Sequence, residues 1–381
     1  MARGNGEGSI VYHKHSKRYM AAYTVNGTRK YIYGKTRKDV KDKLNTVLNQ
    51  IQVGAYKEKT KKTLLEILQE IVQDRYDSNK TGESAYNTNL RTIERIKKDN
   101  IASKQIQKIT LEDLNKYFNS LTDKYSNSVI RKNFGLINAS FKRAVVRGYI
   151  QTNPFDNKEE LQRPKSKKTD KKVKALTVIE QQKLLEGLNA YNDIVYKNII
   201  TLALFTGMRC GEILALKLND IDLDSKVIHI NKTLTRDIKG NVVMGKEAKT
   251  QASKRDLRIN LNIEKILKSA MENYRPNSNN LLFCRDNGDL ITQGMMNSAF
   301  KRLCKKCGIN IDEGVNFHML RHTFATRCIE SGMPAKVLQK KLGHQNISVT
   351  LNTYTDIFSA YEDKYDEQQE NYLKEQGIGL L

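Results

Sequence analysis

Two stretches of the chain hold side chains whose types and spacing suit chemistry on an anion. From Val315 to Asp356, His318 and Arg321 stand three apart in an apolar-periodic run (Phe317, Leu320, Phe324). A helix there presents both on one face. Leu342-Gly343-His344 closes a second helical pattern, with the glycine as a stop signal, and Tyr354 follows between Thr353 and Thr355. Upstream, Thr206-Gly207-Met208-Arg209-Cys210-Gly211-Glu212 sets an arginine three residues before a carboxylate. Imidazoles move protons near neutrality, guanidinium groups clamp anionic oxygens, and a phenol is a nucleophile once its proton is managed. Taken singly, each has an ordinary reading. Arg209 pairs with Glu212, a His-x-x-Arg is a surface ion pair, Leu-Gly-His ends a helix, and Tyr354 is one of 18 tyrosines.

Jointly, in this order and spacing, the stretches resemble the two boxes of the tyrosine recombinases, the phage-integrase family. One box is Thr-Gly-x-Arg-x-x-Glu; the other is His-x-x-Arg, Leu-Gly-His and the tyrosine. The specific motifs cover the C-terminal two-fifths of the chain. The resemblance implies Tyr354 as the nucleophile that forms a covalent phosphotyrosine, preserving the bond energy for rejoining. It implies Arg209 and Arg321 on the non-bridging oxygens of the phosphorane, with His344 donating to the same oxygens. His318, or a water it orders, is the general base for a hydroxyl of which only ~0.1% is ionised at pH 7. The family's leaving-group acid is a lysine on a β-hairpin. Lys249 fits it, in Lys249-Thr250-Gln251-Ala252-Ser253-Lys254-Arg255, although Lys246 and Lys254 flank it. Glu212 is expected to hold Arg209 or a neighbour in place. His13, His15, His229 and His322 are read as structural or solvated. No metal and no other cofactor is expected, because the arginines supply the positive charge and no carboxylate pair stands among the candidates.

Composition agrees with a polyanionic partner. Lys and Arg total 66 against 42 Asp and Glu, a formal charge of +24 with a pI near 9.6, and phosphate neutralisation with counterion release supplies most non-specific affinity for nucleic acid. No apolar run approaches a membrane span, so the chain is expected in the cytosol, on DNA. Five cysteines argue against a disulfide framework, and Cys304-x-x-Cys307 lacks a second pair at zinc spacing.

The elements that must position these residues fall into modules. Residues 1–55 read as three strands and a helix, with an Asn26-Gly27 hairpin turn, and carry 11 Lys/Arg against 3 Asp/Glu. This small α+β module resembles the arm-type DNA-binding domain of integrases, with Lys17, Arg18, Arg29 and Lys30 as candidate contacts on an undetermined face. Residues 60–160 show four amphipathic stripes, an all-α bundle that takes the place of the family's core-binding domain and has basic outer faces. Residues 161–174, which include RPKSKKTDKKVK, read as an exposed basic linker. Residues 175–381 form the catalytic domain, mostly α with a small antiparallel sheet from Lys226–Ile230, Val242–Met244 and Leu257–Ile259, and end in a charged tail. The fold expected is therefore multidomain.

The function so implied is a site-specific DNA recombinase, an integrase that integrates and excises a mobile element (prophage or conjugative transposon). Its partners would be double-stranded DNA at core-type and arm-type sites and further copies of itself in a tetramer. An excisionase and a DNA-bending host protein are accessory candidates, and the tail either docks on a neighbouring copy, as the resemblance implies, or is a frayed terminus. Two alternatives stay open: a catalytically inactive DNA-binding regulator, and a type IB topoisomerase-like enzyme that relaxes DNA.

Overall fold

The structure is a computed structural model and describes residues 9–25, 27–53, 56, 60–168, 174–245, 254–310 and 314–378. Lys249, its neighbour Lys246 and the turn residue Asn26 lie outside the described residues. The chain divides into two compact units, Met1–Asp170 and Lys171–Leu381.

The first unit opens with strands β1 (Ser9–His13), β2 (Arg18–Val25) and β3 (Thr28–Gly34), antiparallel in that order. Helix α1 (Arg37–Gln52) follows, with Thr36 accepting from the Asp39 N–H as its N-cap. Side chains alternate across a strand. Ile10, Tyr19, Ala21, Tyr23 and Ile32 therefore pack on Val40, Leu44 and Leu48 of α1, and Val11, Arg18, Met20, Arg29, Tyr31 and Tyr33 fall on the helix-free face. The register supports this, pairing Val11 with Met20, Met20 with Tyr33 and Ala22 with Tyr31.

Four helices then build a bundle: α2 (Leu64–Asp77), α3 (Glu83–Ile96), α4 (Leu111–Ser120) and α5 (Asn127–Val146). Capping boxes open α2 (Thr63, Glu66) and α4 (Thr110, Asp113). The apolar stripes meet in one core, where Phe118, Phe134, Phe141 and Phe155 cluster. The basic outer face is partly spent on the bundle itself. Arg143 pairs with Asp74 at 2.6 Å and Arg147 with Glu70 at 2.8 Å, joining α5 to α2, and Arg95 lies over the Tyr125 ring. The described start of the basic stretch after it, residues 161–168, is held on the bundle. Leu161 is buried in the bundle core, and the Ser166 hydroxyl donates to the Tyr125 carbonyl at 2.7 Å while its N–H donates to Asn127.

The second unit is built around α7 (Ile194–Thr206), which follows α6 (Val178–Asn189) with its Thr177–Glu180 capping box. Helix α7 is strongly apolar and mostly buried, as a central helix must be, and packs against α9 (Leu261–Glu272) and α11 (His318–Glu330). Short α8 (Cys210–Leu214) follows it. Strands β4 (Ile221–Asp222), β5 (Val227–Ile230) and β8 (Arg255–Arg258) form one antiparallel sheet. Val242–Met244, expected in that same sheet, is instead β7 of a separate hairpin with β6 (Leu234–Arg236). Alternation marks a strand but does not name its partner. Helices α10 (Gln293–Lys306), α12 (Ala335–Leu342), α13 (Ile347–Ala360) and α14 (Glu362–Glu375) complete the unit. All five cysteines are free; Cys304 is buried in the core and Cys307 packs at its edge. No described helix is long and apolar enough to cross a membrane.

Candidate active site

Two helix ends carry the site. Helix α7 stops at Thr206 because Gly207 takes the left-handed backbone conformation (φ 65°). The chain then extends through Met208 and restarts as α8 with Arg209 at its N-cap, where Glu212 accepts the Arg209 backbone N–H at 2.9 Å. Helix α12 stops at Leu342 in the same way, with Gly343 at φ 65° and ψ 45°.

A helix leaves its last carbonyls without intrahelical donors and carries partial negative charge there. At the end of α12 three successive carbonyls are taken by three arginines. Lys341 O accepts from Arg255 Nε at 2.7 Å, Leu342 O from Arg321 Nη2 at 2.7 Å, and Gly343 O from Arg209 Nη2 at 3.3 Å. Arg321 also donates from Nη1 to Gly207 O at 2.8 Å. Glu212, 6% exposed, sits between Arg209 (2.8 Å) and Arg255 (3.1 and 2.9 Å). Burial pushes its carboxyl up, but hydrogen bonds and charge from Arg255, and then Arg209, outweigh this and hold the pKa at about 2. Arg321 is 3% exposed; burial and the like charge of Arg209 bring its pKa down to about 9, so it stays charged at neutral pH.

Tyr354 is 3% exposed and sits where α13 kinks, its backbone at φ −119° and ψ 16°. Burial pushes the phenol up to about 12 against the pull of Arg321, so the resting side chain keeps its proton. The Tyr354 ring lies 5.6 Å from that of His322, and His322 stands edge-on to His318 at 4.9 Å. His318, at the exposed start of α11, is pushed down to about 4 by desolvation of its ring, with His322, Arg321 and Arg209 adding to the effect. His344, at the end of the α12 turn, is held by Thr350 Oγ1 at 2.8 Å from Nδ1. Burial, with Arg321, Arg209 and Arg255, brings it to about 4 as well. Both imidazoles are therefore neutral at pH 7, one suited to accept a proton and one to share a hydrogen bond.

The fold thus brings Arg209, Glu212, His318, Arg321, His344 and Tyr354 into one cluster. Lys249 belongs to the undescribed segment between β7 and β8. Lys17, Arg18, Arg29 and Lys30 lie in the other unit: Arg18 and Arg29 on the helix-free face of the sheet, Lys17 in the β1–β2 turn, and Lys30 on the opposite face beside the Tyr56 ring. Sequence reasoning missed three residues. Arg255 was visible only as the last letter of the lysine motif, Thr350 gave no signal, and His322, read as structural or solvated, lies between the candidate base and the candidate nucleophile. Among the described residues no group of three or more His, Cys, Asp or Glu is placed to hold a metal ion.

Residues 174–360 match the phage integrase family, and residues 63–161 match the phage integrase SAM-like domain. The chain is 27% identical over 354 residues to the tyrosine recombinase XerC-like protein of Caldanaerobacter subterraneus subsp. tengcongensis, covering 86% of this chain and 88% of that protein. It is 28% identical over 310 residues to the integrase of Staphylococcus phage L54a, covering 75% and 86%. The Tn1549 transposon integrase, solved in complex with a circular intermediate DNA, shares the fold at a TM-score of 0.68, with 24% identity over 80% of this chain and 99% of that one. With two phage integrase models matched over residues 63–161 and 174–360, and with relatives aligned along most of their own length, this chain belongs to the phage integrase family and is a tyrosine-type site-specific recombinase.

Proposed function

We propose that this recombinase is the integrase of a mobile element, a prophage or conjugative transposon, and that it joins and separates two DNA sites through a 3′-phosphotyrosyl intermediate on Tyr354. The observation that carries the reading is the shared anchoring of Arg209 and Arg321 on the α12 end. A guanidinium has five N–H donors, and the described partners occupy two on each side chain. The rest are available to the two non-bridging oxygens of a scissile phosphate. Three guanidinium groups face one carboxylate, and that excess positive charge favours a bound anion.

In the reaction, the Tyr354 hydroxyl attacks phosphorus and its proton passes to neutral His318, directly or through a water. The 3′ phosphate becomes bonded to the tyrosine oxygen as the bond to the 5′ oxygen breaks, and Lys249 gives that oxygen its proton. His344, with Nδ1 accepting from Thr350, donates from Nε2 to the phosphorane. Reversal by the 5′ hydroxyl of another strand completes the exchange with no net loss of phosphodiester bonds.

Around this centre, residues 1–55 read arm-type sites, residues 60–160 grip the core site, residues 161–174 connect them to the catalytic domain at 175–381, and the protein works in the bacterial cytosol. The helix-free sheet face, with Arg18, Arg29, Tyr31 and Tyr33, is the face that meets DNA. Strand exchange joins two duplexes with two cuts in each, which calls for four copies; an excisionase and a DNA-bending host protein would set direction. The tail docks on the neighbouring copy. Neither an inactive regulator nor a DNA-relaxing enzyme is favoured by any feature of the site.

The test is covalent trapping on nicked duplexes carrying the joined ends of the element, run on a denaturing gel. Wild type should give a slow band, and Tyr354→Phe should bind the duplex yet give none. A band that persists in the mutant places the nucleophile elsewhere, and no band from wild type bound to its true site points to a regulator.

A further inference from the structure

We infer that Arg255 is a positioning residue for cleavage, one that sets Arg209 through the shared carboxylate of Glu212 without touching the DNA. The inference rests on the proposed cleavage chemistry. Arg255 is 8% exposed, and all three of its nitrogens are engaged: Nε with Lys341 O at 2.7 Å, Nη1 and Nη2 with the two oxygens of Glu212 at 3.1 and 2.9 Å. Every nitrogen of this guanidinium is already bonded to a protein acceptor, so it has no free edge to present to a phosphate, whereas the bonds of Arg321 engage only Nη1 and Nη2.

Its position explains more than its own stability. Glu212 offers both its oxygens to Arg209 as well, Oε2 to the backbone N–H and Oε1 to Nη1. The backbone N–H holds only Oε2, so without a second anchor the carboxylate could turn about that bond with the Arg209 side chain. The planar two-pronged grip of Arg255 fixes the carboxylate in orientation, and the carboxylate then fixes Arg209. The third bond, to Lys341 O, ties β8 to the same turn of α12 that holds Arg321 and Arg209. Arg255 thereby locks three segments, β8, α8 and the α12 end, into one frame. Lysine cannot replace it, since an ammonium offers no paired donors in one plane.

Arg255 also begins β8 directly after the segment carrying Lys249, so a second route, through the leaving-group acid, must be separated from the first. A duplex whose scissile 5′ oxygen is replaced by sulfur does so, because a thiolate departs without being protonated. Loss through Arg209 persists on that substrate, whereas loss through Lys249 is relieved.

The experiment measures single-turnover covalent adduct formation by the full chain, with duplex binding measured in parallel by gel shift. The variants are Arg255→Lys and the charge-neutral pair Arg255→Met with Glu212→Gln, which leaves no buried charge unmatched between them. On the ordinary duplex both should cleave roughly ten- to a hundredfold more slowly than wild type, with affinity within about threefold, and the deficit should remain on the sulfur substrate. Wild-type rates in either variant, or full recovery on sulfur, overturn the assignment. So does a fall in rate matched by an equal fall in binding, which marks a merely structural residue. Absence of wild-type adduct instead defeats the proposed chemistry itself, so the two failures are distinct.

Discussion

Arg321 donates a 2.8 Å hydrogen bond to the carbonyl of Gly207, 114 residues earlier in the chain, and this contact makes one site of two motifs. It is possible only because α7 ends abruptly. Gly207 has φ 65°, and a Cβ on it would meet Phe324 Cδ1 of α11 at 2.3 Å. The glycine is required twice, for its backbone conformation and for the approach of the helix that bears Arg321.

Gly207→Ala should therefore destabilise the catalytic unit by roughly 2–4 kcal/mol, combining the left-handed penalty with overpacking against Phe324. Gly343→Ala, at the other helix end, should cost about 1–2 kcal/mol from conformation. Both should slow adduct formation, since each moves a carbonyl that holds an arginine. Urea denaturation measures the first effect. Equal midpoints for Gly207→Ala and wild type would mean that α7 and α11 are not in contact there.

Acid should weaken the catalytic unit in two stages. His318 and His344 sit near 4 when folded against an ordinary 6.5. The unfolded chain takes up those protons first, so stability is unaffected by them above about 6.5 and declines as pH falls towards 4. Glu212 sits near 2 against 4.5. Its contribution, on the order of 3 kcal/mol, is complete above 4.5 and is lost as pH falls through 2. Glu212→Gln should lose a similar amount at pH 7 by leaving Arg209 and Arg255 without their carboxylate, and its deficit should shrink below pH 4. Urea titrations from about pH 2 to 8 follow both stages; a Glu212→Gln variant as stable as wild type at pH 7 would remove the carboxylate from the frame.

The two faces of the amino-terminal sheet should behave differently. Arg29→Glu, on the helix-free side, should weaken binding of an arm-site duplex and lower the salt slope of affinity by about one or more. Lys30→Glu, on the side of α1 and Tyr56, should have a much smaller effect. Gel shifts over a salt series decide this, and a larger loss from Lys30→Glu would reverse the assignment of faces.

Much of this protein was legible in its sequence because the signals are local. Helical periodicity marked the four stripes of α2 to α5, and Gly343 marked the end of α12, each through the conformational preference of a few adjacent residues. The family motifs named six candidates for the chemistry, and the fold gathers five of them, Lys249 lying outside the described residues. What the sequence could not determine depends on pairing between distant segments. Alternation identified Val242–Met244 as a strand but not that Leu234–Arg236 is its partner. A count of basic residues could not distinguish Arg143 and Arg147, paired with Asp74 and Glu70, from residues with free charges. Nothing in the run of letters places Arg255 under Glu212, or His322 against Tyr354. Burial and hydrogen-bond partners belong to side chains that meet from separate elements, so only the tertiary structure could show that Arg209, Arg255 and Arg321 meet at the end of α12.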